Sequence, residues 1–504
     1  MRLERPPPPG ASRLRPREEP APVHLLERFA GLLDDADQAR YEGAVRGGAR
    51  RLRGRVIWTV SSSARGGGVA EMMRPLVGYA RGAGADARWL VIEGTPAFFE
   101  VTKRLHHLLH GDPGDGGPLG AAEREVYEGV LAENAAALAG LVAPGDVVLL
   151  HDPQTAGLAP AARRLRAIVV WRSHIGCDDP GDPEAARGWR FLLPYVAAAD
   201  AVIVSRAADA PPGVDPARVH VMRPSIDPFT AKNAPMDDAA VPAVLAAAGL
   251  LAGPGRATAP VGRRDDGSPL RVCRRADVVR EGGPPPPGRP LVVQVSRWDR
   301  LKDHLGVMEG FARMGDAAGD ADLVLAGPAI ASVADDPDGP AVMDALLAAW
   351  RALPARLRRR VHVAALPMED GDENAAIVNA LQRHAAVVVQ KSLREGFGLT
   401  VTEAMCKGRP VVASAVGGIR DQITDGLDGV LVDDPRDLGA FAGAVAGLLA
   451  DPARAAALGR AAHERARRES LNLRQLADYA ILLGRLVEDR LAAVRSSATP
   501  PEAA

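Results

Sequence analysis

Residues 385–435 read AAVVVQKSLREGFGLTVTEAMCKGRPVVASAVGGIRDQITDGLDGVLVDDP. The apolar, β-branched run from Val387 to Val389 predicts a short buried strand. A loop follows with Glu395, Gly396 and Gly398 at its tip, and Thr400 to Lys407 predicts a helix. Thr400 and Glu403 stand at the Thr-x-x-Glu spacing of a capping box. Gly408 and Pro410 end the helix, Val411 to Ala413 begins the next strand, and Gly417-Gly418 opens another unit. Strand, Gly-rich loop, helix, strand is an order that suits an anion. A helix N-terminus presents unpaired N–H groups and the positive end of its dipole, and glycines let backbone approach a ligand closely. Glu395 and Glu403, at Glu-x7-Glu spacing, add carboxylates that would accept hydrogen bonds from sugar hydroxyls. A ligand made of phosphate and sugar would use both features.

A chain of 504 residues exceeds one typical domain, so two are expected. Aromatic residues make up only 4%, which leaves the core to Val, Leu, Ile and Ala. The net charge of −1 argues against a generic nucleic-acid binder. Cys177, Cys273 and Cys406 lie far apart, with no disulfide framework and no clustered Cys/His metal site. That usage fits a reducing compartment. No apolar run reaches membrane-spanning length and no signal-peptide core opens the chain, so a cytoplasmic protein is expected.

Along the chain, residues 1–50 read as a Pro/Arg-rich tail, irregular to about Pro22, and a short helix from Val23 to Ala44. Residues 51–249 read as a first Rossmann-like domain. RVIWTV, Arg55 to Val60, is its first strand, and Gly66, Gly67 and Gly68 precede a helix whose Met72, Leu76 and Tyr79 recur at helical spacing. This Gly-rich βαβ entry would cradle phosphate. VVLLHDP ends in His151 and Asp152, and AIVVWRSH ends in Arg172 and His174. Polar groups past a strand's carboxyl end sit where open α/β sheets bind ligands. Residues 250–289, dense in Gly, Pro, Arg and Asp, read as an insert or linker. Residues 290–470 read as a second Rossmann-like domain, beginning with the strand LVVQV, after which Arg297 and Lys302 stand at a loop and helix entry. Residues 471–504 read as a long helix, with Leu473, Leu476, Ala480, Leu483 and Val487 on one face, and a tail. The fold class expected is α/β, two doubly wound sheets facing across a cleft.

EGFGLTVTEAM, GRPVVASAVGG and DGLDGVLV together resemble the nucleotide-binding half of retaining glycosyltransferases of family four, which have the two-domain GT-B fold. VSSSARGGGVAEMMRPLV, ARWLVIEGTPAFFEVTKRLHHLLHG, HDPQTAGL, WRSHIGCDDP, PSIDP and VSRWDRLKD narrow the resemblance to trehalose glycosyltransferring synthases, over roughly residues 55–490. It extends to clock-controlled, trehalose-synthase-like proteins, insert included.

The resemblance implies a glucosyl donor carried on a nucleoside diphosphate, no tightly bound cofactor, and small sugars as partners, with no nucleic acid and no membrane span. A homodimer is compatible with it, and Mg2+ is left unassigned. By this resemblance Arg297 and Lys302 stabilise the leaving diphosphate, with Gly67 and Gly68 closing over it from the first domain. Glu395 grips the donor sugar, Gly396, Phe397, Gly398 and Leu399 give backbone contacts, and Glu403 holds the ribose or merely caps its helix. Leu366 either meets the base through its backbone or packs at a strand end. Asp152, Arg172 and His174 are candidates for the sugar side. Asp178-Asp179 reads as a loop turn in preference to a metal site, and no metal ligands are assigned. The reaction implied joins a glucosyl unit to glucose with retention, giving trehalose. The rivals are a retaining trehalose phosphorylase, a glucosyltransferase for another small acceptor, and a non-catalytic nucleotide-sugar-binding protein.

Overall fold

The computed structural model describes residues 14–64, 68–253, 261–264, 268–330 and 338–498. Seven strands form the first sheet: β1 (Arg17–Glu19), β2 (Val56–Ser61), β3 (Asp86–Val91), β4 (Val147–His151), β5 (Ile168–Arg172), β6 (Ala201–Val204) and β7 (Val219–Val221), in the order β1-β3-β2-β4-β5-β6-β7. A two-stranded hairpin, β8 (Gly262–Arg263) and β9 (Pro269–Leu270), precedes the second sheet. That sheet comprises β10 (Asp277–Val279), β11 (Leu291–Val295), β12 (Asp322–Pro328), β13 (Val361–Leu366), β14 (Val387–Gln390), β15 (Val411–Ser414) and β16 (Val430–Val432). Its order is β10-β13-β12-β11-β14-β15-β16, which differs from the first in placing its third parallel strand, β13, outside the second instead of across the switch point. In both, one antiparallel edge strand joins six parallel ones.

The strand sequences explain this. β4, β5, β11 and β14 are buried at every residue, as parallel strands covered by helices on both faces must be. On one face of the first sheet, Phe98, Tyr127 and Phe191 come from helices Pro96–Leu109, Ala121–Leu138 and Pro183–Val196. On the other, Val45 and Tyr79 from helices Asp35–Arg51 and Gly68–Gly82 meet Leu473, Leu476 and Leu483. Those leucines belong to the C-terminal helix Asn472–Ala498, so the end of the chain completes the core of the first domain. The chain crosses between domains twice, side by side, where Ile226 bridges Leu471.

Each sheet changes winding direction once, between β2 and β4 and between β11 and β14. Ligands of open α/β sheets bind beyond the strand ends at such a switch point. Here both switch points open onto one cleft.

Three expectations are corrected. Arg17–Glu19 pairs antiparallel with β3, so the irregular tail does not extend to Pro22. The first α-helix runs Asp35–Arg51, not from Val23 to Ala44, because Asp34 caps it, accepting from Asp37 N–H at 2.8 Å. The segment read as a linker packs on the second sheet: Leu250, Leu251, Leu270 and Val272 are buried in its core, and β10 borders β13. Glu373, itself 2% exposed, accepts the N–H groups of Cys273 and Arg274. Composition hides this, because four well-placed apolar side chains and one edge strand suffice to dock a Pro-rich segment. Leu270→Ala should therefore cost about 2–5 kcal/mol, measured by urea unfolding. A linker substitution would stay within about 0.5 kcal/mol.

Candidate active site

The cleft has a volume of about 330 Å3. From the first domain it receives the ends of β2 (Ser61 to Ser63), the start of the Gly68–Gly82 helix, and His151, Asp152 and His174 beyond β4 and β5. From the second it receives Arg297 and Lys302 after β11, Leu366 at the end of β13, and Glu395 to Thr400 after β14.

Arg297 and Lys302 lie on the second-domain side. Asp299 caps the short turn Arg300–Lys302, accepting from Leu301 N–H at 2.8 Å, and so fixes Lys302 at the cleft. Lys302 Nζ lies 2.7 Å from both oxygens of Glu395, and Ser392 Oγ donates to Oε2 at 3.0 Å. Asp299 is 1% exposed and receives Lys103 Nζ at 2.8 Å from the other domain. Burial alone would raise the Asp299 carboxyl, but Lys103, Arg297, His106 and Lys302 hold it well below the usual carboxylate range. Negative charge is thus already balanced by neighbouring cations before any ligand enters.

Gly398, at φ 86°, caps the helix Leu399–Cys406 and turns its free N–H groups toward the cleft. Gly68, at the start of its own helix, faces the Leu399 side chain. Two helix starts from different domains therefore face each other. Gly67 falls outside the described residues. At Gly396 the two backbones approach closely: a Cβ there would lie 2.0 Å from the His174 carbonyl oxygen. Phe397 is buried, and its carbonyl accepts from Gln422.

The first-domain wall carries two histidines and an aspartate, His151, His174 and Asp152. His151 Nδ1 and His174 Nε2 are 3.0 Å apart, with the rings stacked. Burial depresses both imidazoles, His151 to about 3. Asp152 takes a left-handed backbone (φ 62°) that aims Oδ1 at His174 N–H, 2.7 Å away, and burial pushes its carboxyl up to about 7. Asp152 and His174 stand together in the cleft, as expected. Arg172 does not. It is fully buried on the opposite side of β5, donates to Tyr479 Oη and to the Met222 carbonyl at 3.2 Å, and stacks over the Tyr479 ring. It ties the C-terminal helix to the first sheet, because neighbouring strand residues alternate between faces.

Glu403 is not a cap. The helix begins at Gly398, so Thr400 falls inside the first turn and donates to Gln390 Oε1 at 2.8 Å. Glu403 is 2% exposed and lines the cleft, with Lys232 Nζ 3.0 Å from Oε1. Leu366 lines the cleft and also packs in the core, its carbonyl taken by Ala329 N–H. Asp178 does more than turn a loop. It accepts from Gly417 N–H at 2.9 Å across the domain boundary and pairs with Arg206 at 2.8 Å.

Sequence reasoning missed Lys103, His106, His110, Asp299, Glu71 and Lys232, all of which line the cleft. One signal was available. Lys103, His106 and His110 recur at helical spacing along the helix Pro96–Leu109 and its C-cap. The others become neighbours only through tertiary contacts.

Two doubly wound domains that turn both switch points toward one cleft define a GT-B glycosyltransferase. Residues 59–211 match the trehalose synthase N-terminal domain, and residues 277–465 match glycosyl transferases group 1. The trehalose synthase of Rubrobacter xylanophilus is 34% identical over 452 residues, covering 87% of this chain and 92% of that one. That of Pyrococcus horikoshii is 32% identical over 464 residues, covering 92% and 96%. A trehalose phosphorylase of Pleurotus pulmonarius is 27% identical over 416 residues, covering 78% of this chain and 52% of its own length. An α,α-trehalose-phosphate synthase (UDP-forming) from Burkholderia vietnamiensis shares the fold, with a TM-score of 0.62 at 18% identity over 86% of this chain and 96% of that one. The chain belongs to the trehalose synthase family of glycosyltransferases.

Arg172→Met should lower the melting temperature, since Tyr479 Oη and the Met222 carbonyl lose a buried partner at roughly 1–3 kcal/mol each. The KM for the acceptor sugar should stay unchanged. A raised KM at unchanged stability would return Arg172 to the sugar site.

Proposed function

We propose that this protein is a cytoplasmic, retaining glucosyltransferase that joins the glucosyl unit of a nucleoside diphosphate glucose to glucose, giving α,α-trehalose. The observation that carries the reading is the division of the cleft. Lys302 and Arg297 line it from the second domain, two helix starts face each other in it, and His151 and His174 line it from the first domain. A diphosphate fits the charged side, and an uncharged sugar fits the imidazoles and the carboxylate of Glu395.

As the bond between C1 and the diphosphate oxygen breaks, negative charge grows on that oxygen. Lys302 and Arg297 stabilise it more in the transition state than before, which is what lowers a barrier. The acceptor hydroxyl attacks C1 from the same face, and its proton passes to the departing phosphate oxygen. Configuration is kept, and the products are the disaccharide and the nucleoside diphosphate. Glu395 accepts hydrogen bonds from donor hydroxyls while holding Lys302 in place. Glu403 accepts from the ribose. The UDP-forming enzyme that shares this fold supports a nucleotide donor. A synthase is preferred over a phosphorylase because the match spans 92% of a synthase but 52% of a phosphorylase. The three cysteines are unpaired, which fits a reducing compartment. Among the described residues no single helix is long and apolar enough to cross a membrane.

Incubation with glucose and, separately, ADP-, UDP-, GDP-glucose or glucose 1-phosphate, followed by NMR of the products, tests this reading. An α,α-linked disaccharide is expected from at least one nucleotide donor, and Glu395→Gln should lower its formation by about 10²-fold or more in a folded protein. Product from glucose 1-phosphate alone would make the enzyme a phosphorylase. Transfer only to another acceptor would discard trehalose. Nucleotide-sugar binding with no turnover would make the protein non-catalytic.

A further inference from the structure

The cleft contains a further cation, Lys232, on the segment that follows the first crossing between domains. This segment is fixed to the second domain. Asn379 Nδ2 donates at 2.9 Å to the carbonyls of both Ala231 and Ala234, and Lys407 Nζ donates to Asn233 Oδ1 at 3.0 Å. From this anchored base Lys232 Nζ reaches Glu71 Oε2 at 2.7 Å and Glu403 Oε1 at 3.0 Å.

The two carboxylates come from different domains. Glu71 stands in the first turn of the Gly68–Gly82 helix, and Glu403 on the helix Leu399–Cys406. These are the two helices whose starts face each other, Gly68 against Leu399. One ammonium thus joins both helices. Glu403 is buried, and among the described residues its other oxygen accepts a long hydrogen bond, 3.4 Å, from Gln382 Nε2. Burial alone would lower the Lys232 ammonium, but Glu403 and Glu71 together raise it above the usual lysine range, so it stays charged. Removal of that charge would leave two carboxylates facing the same point, with the more distant Lys407 as the cation that remains near them.

We propose that Lys232 is a positioning residue for the nucleotide: it gathers Glu71 and Glu403 across the domain boundary, so that the facing helix starts and the ribose carboxylate are presented as one site. This rests on the nucleotide-sugar reading above. Lys232 acts through Glu403 and through domain approach, without itself touching the reacting atoms.

The test uses the full chain as Lys232→Met, Lys232→Arg, Glu71→Gln and the Lys232→Met/Glu71→Gln double variant, each checked for folding by circular dichroism. Affinity for UDP, ADP and GDP is measured by calorimetry, the KM for glucose by turnover, and the ligand-free radius of gyration by X-ray scattering. Lys232→Met should weaken nucleoside diphosphate binding about tenfold or more, expand the ligand-free protein, and leave the KM for glucose nearly unchanged. Lys232→Arg should retain affinity. The double variant should bind better than Lys232→Met, because one of the two repelling charges is gone. A Lys232→Met protein with wild-type nucleotide affinity and radius would overturn the proposal, as would a double variant no better than the single. If the wild type binds none of these nucleotides, the donor reading fails on its own. The scattering comparison then decides the latch, and an unchanged radius overturns it.

Discussion

The domains meet backbone to backbone at a point where a side chain is missing. At Gly396 the loop that carries Glu395 lies so near the His174 carbonyl that a Cβ would sit 2.0 Å from its oxygen. Any other residue there would push the domains apart, and with them the carboxylate and the imidazole that the cleft brings together. Charged contacts surround this point: Lys103 with Asp299, Asp178 with the Gly417 N–H, Arg206 with Asp421, and Arg300 with Asp112. An interface held by polar contacts resembles a transient one and permits relative motion. The structure is a closed cleft whose closure is secured by groups that water could also satisfy.

Closure matters because the two sides of the cleft have opposite electrostatic characters. Lys302 and Glu395 form a pair whose strength rises as water is excluded. The imidazoles of His151 and His174 are kept neutral by the same burial. On the function proposed above, a charged leaving group and an uncharged acceptor would be sorted by environment as much as by individual contacts.

Much of this was legible before any coordinates. Apolar runs such as VVLLH and LVVQV can only be parallel strands covered on both faces, and Gly-rich turns at strand ends locate the ligand side of such a sheet. Glu395, Lys302, Asp152 and His174 follow from that placement alone. Arg172 does not, because a residue at a strand end points to one face or the other, and only the packing of Tyr479 from the far end of the chain decides which. The Thr400–Glu403 spacing misled for a related reason. A capping box depends on where the helix starts, and Gly398 starts it two residues before Thr400. The segment around Leu270 shows the limit of composition, which records how much apolar surface a stretch contains but not whether it meets a groove. Lys103 and Asp299, like Lys232 and Glu403, are partners separated by more than a hundred residues, and no local pattern could pair them.

The central claim is that one cleft holds a nucleoside diphosphate against the second domain and a sugar against the first. A crystal structure of the protein with a nucleoside diphosphate and glucose tests it most directly. The account predicts the diphosphate within hydrogen-bond reach of Lys302, Arg297 and the backbone N–H groups at Leu399, with glucose beside His174. A nucleotide bound outside the cleft, or a diphosphate beyond the reach of Lys302 and Arg297, would contradict it.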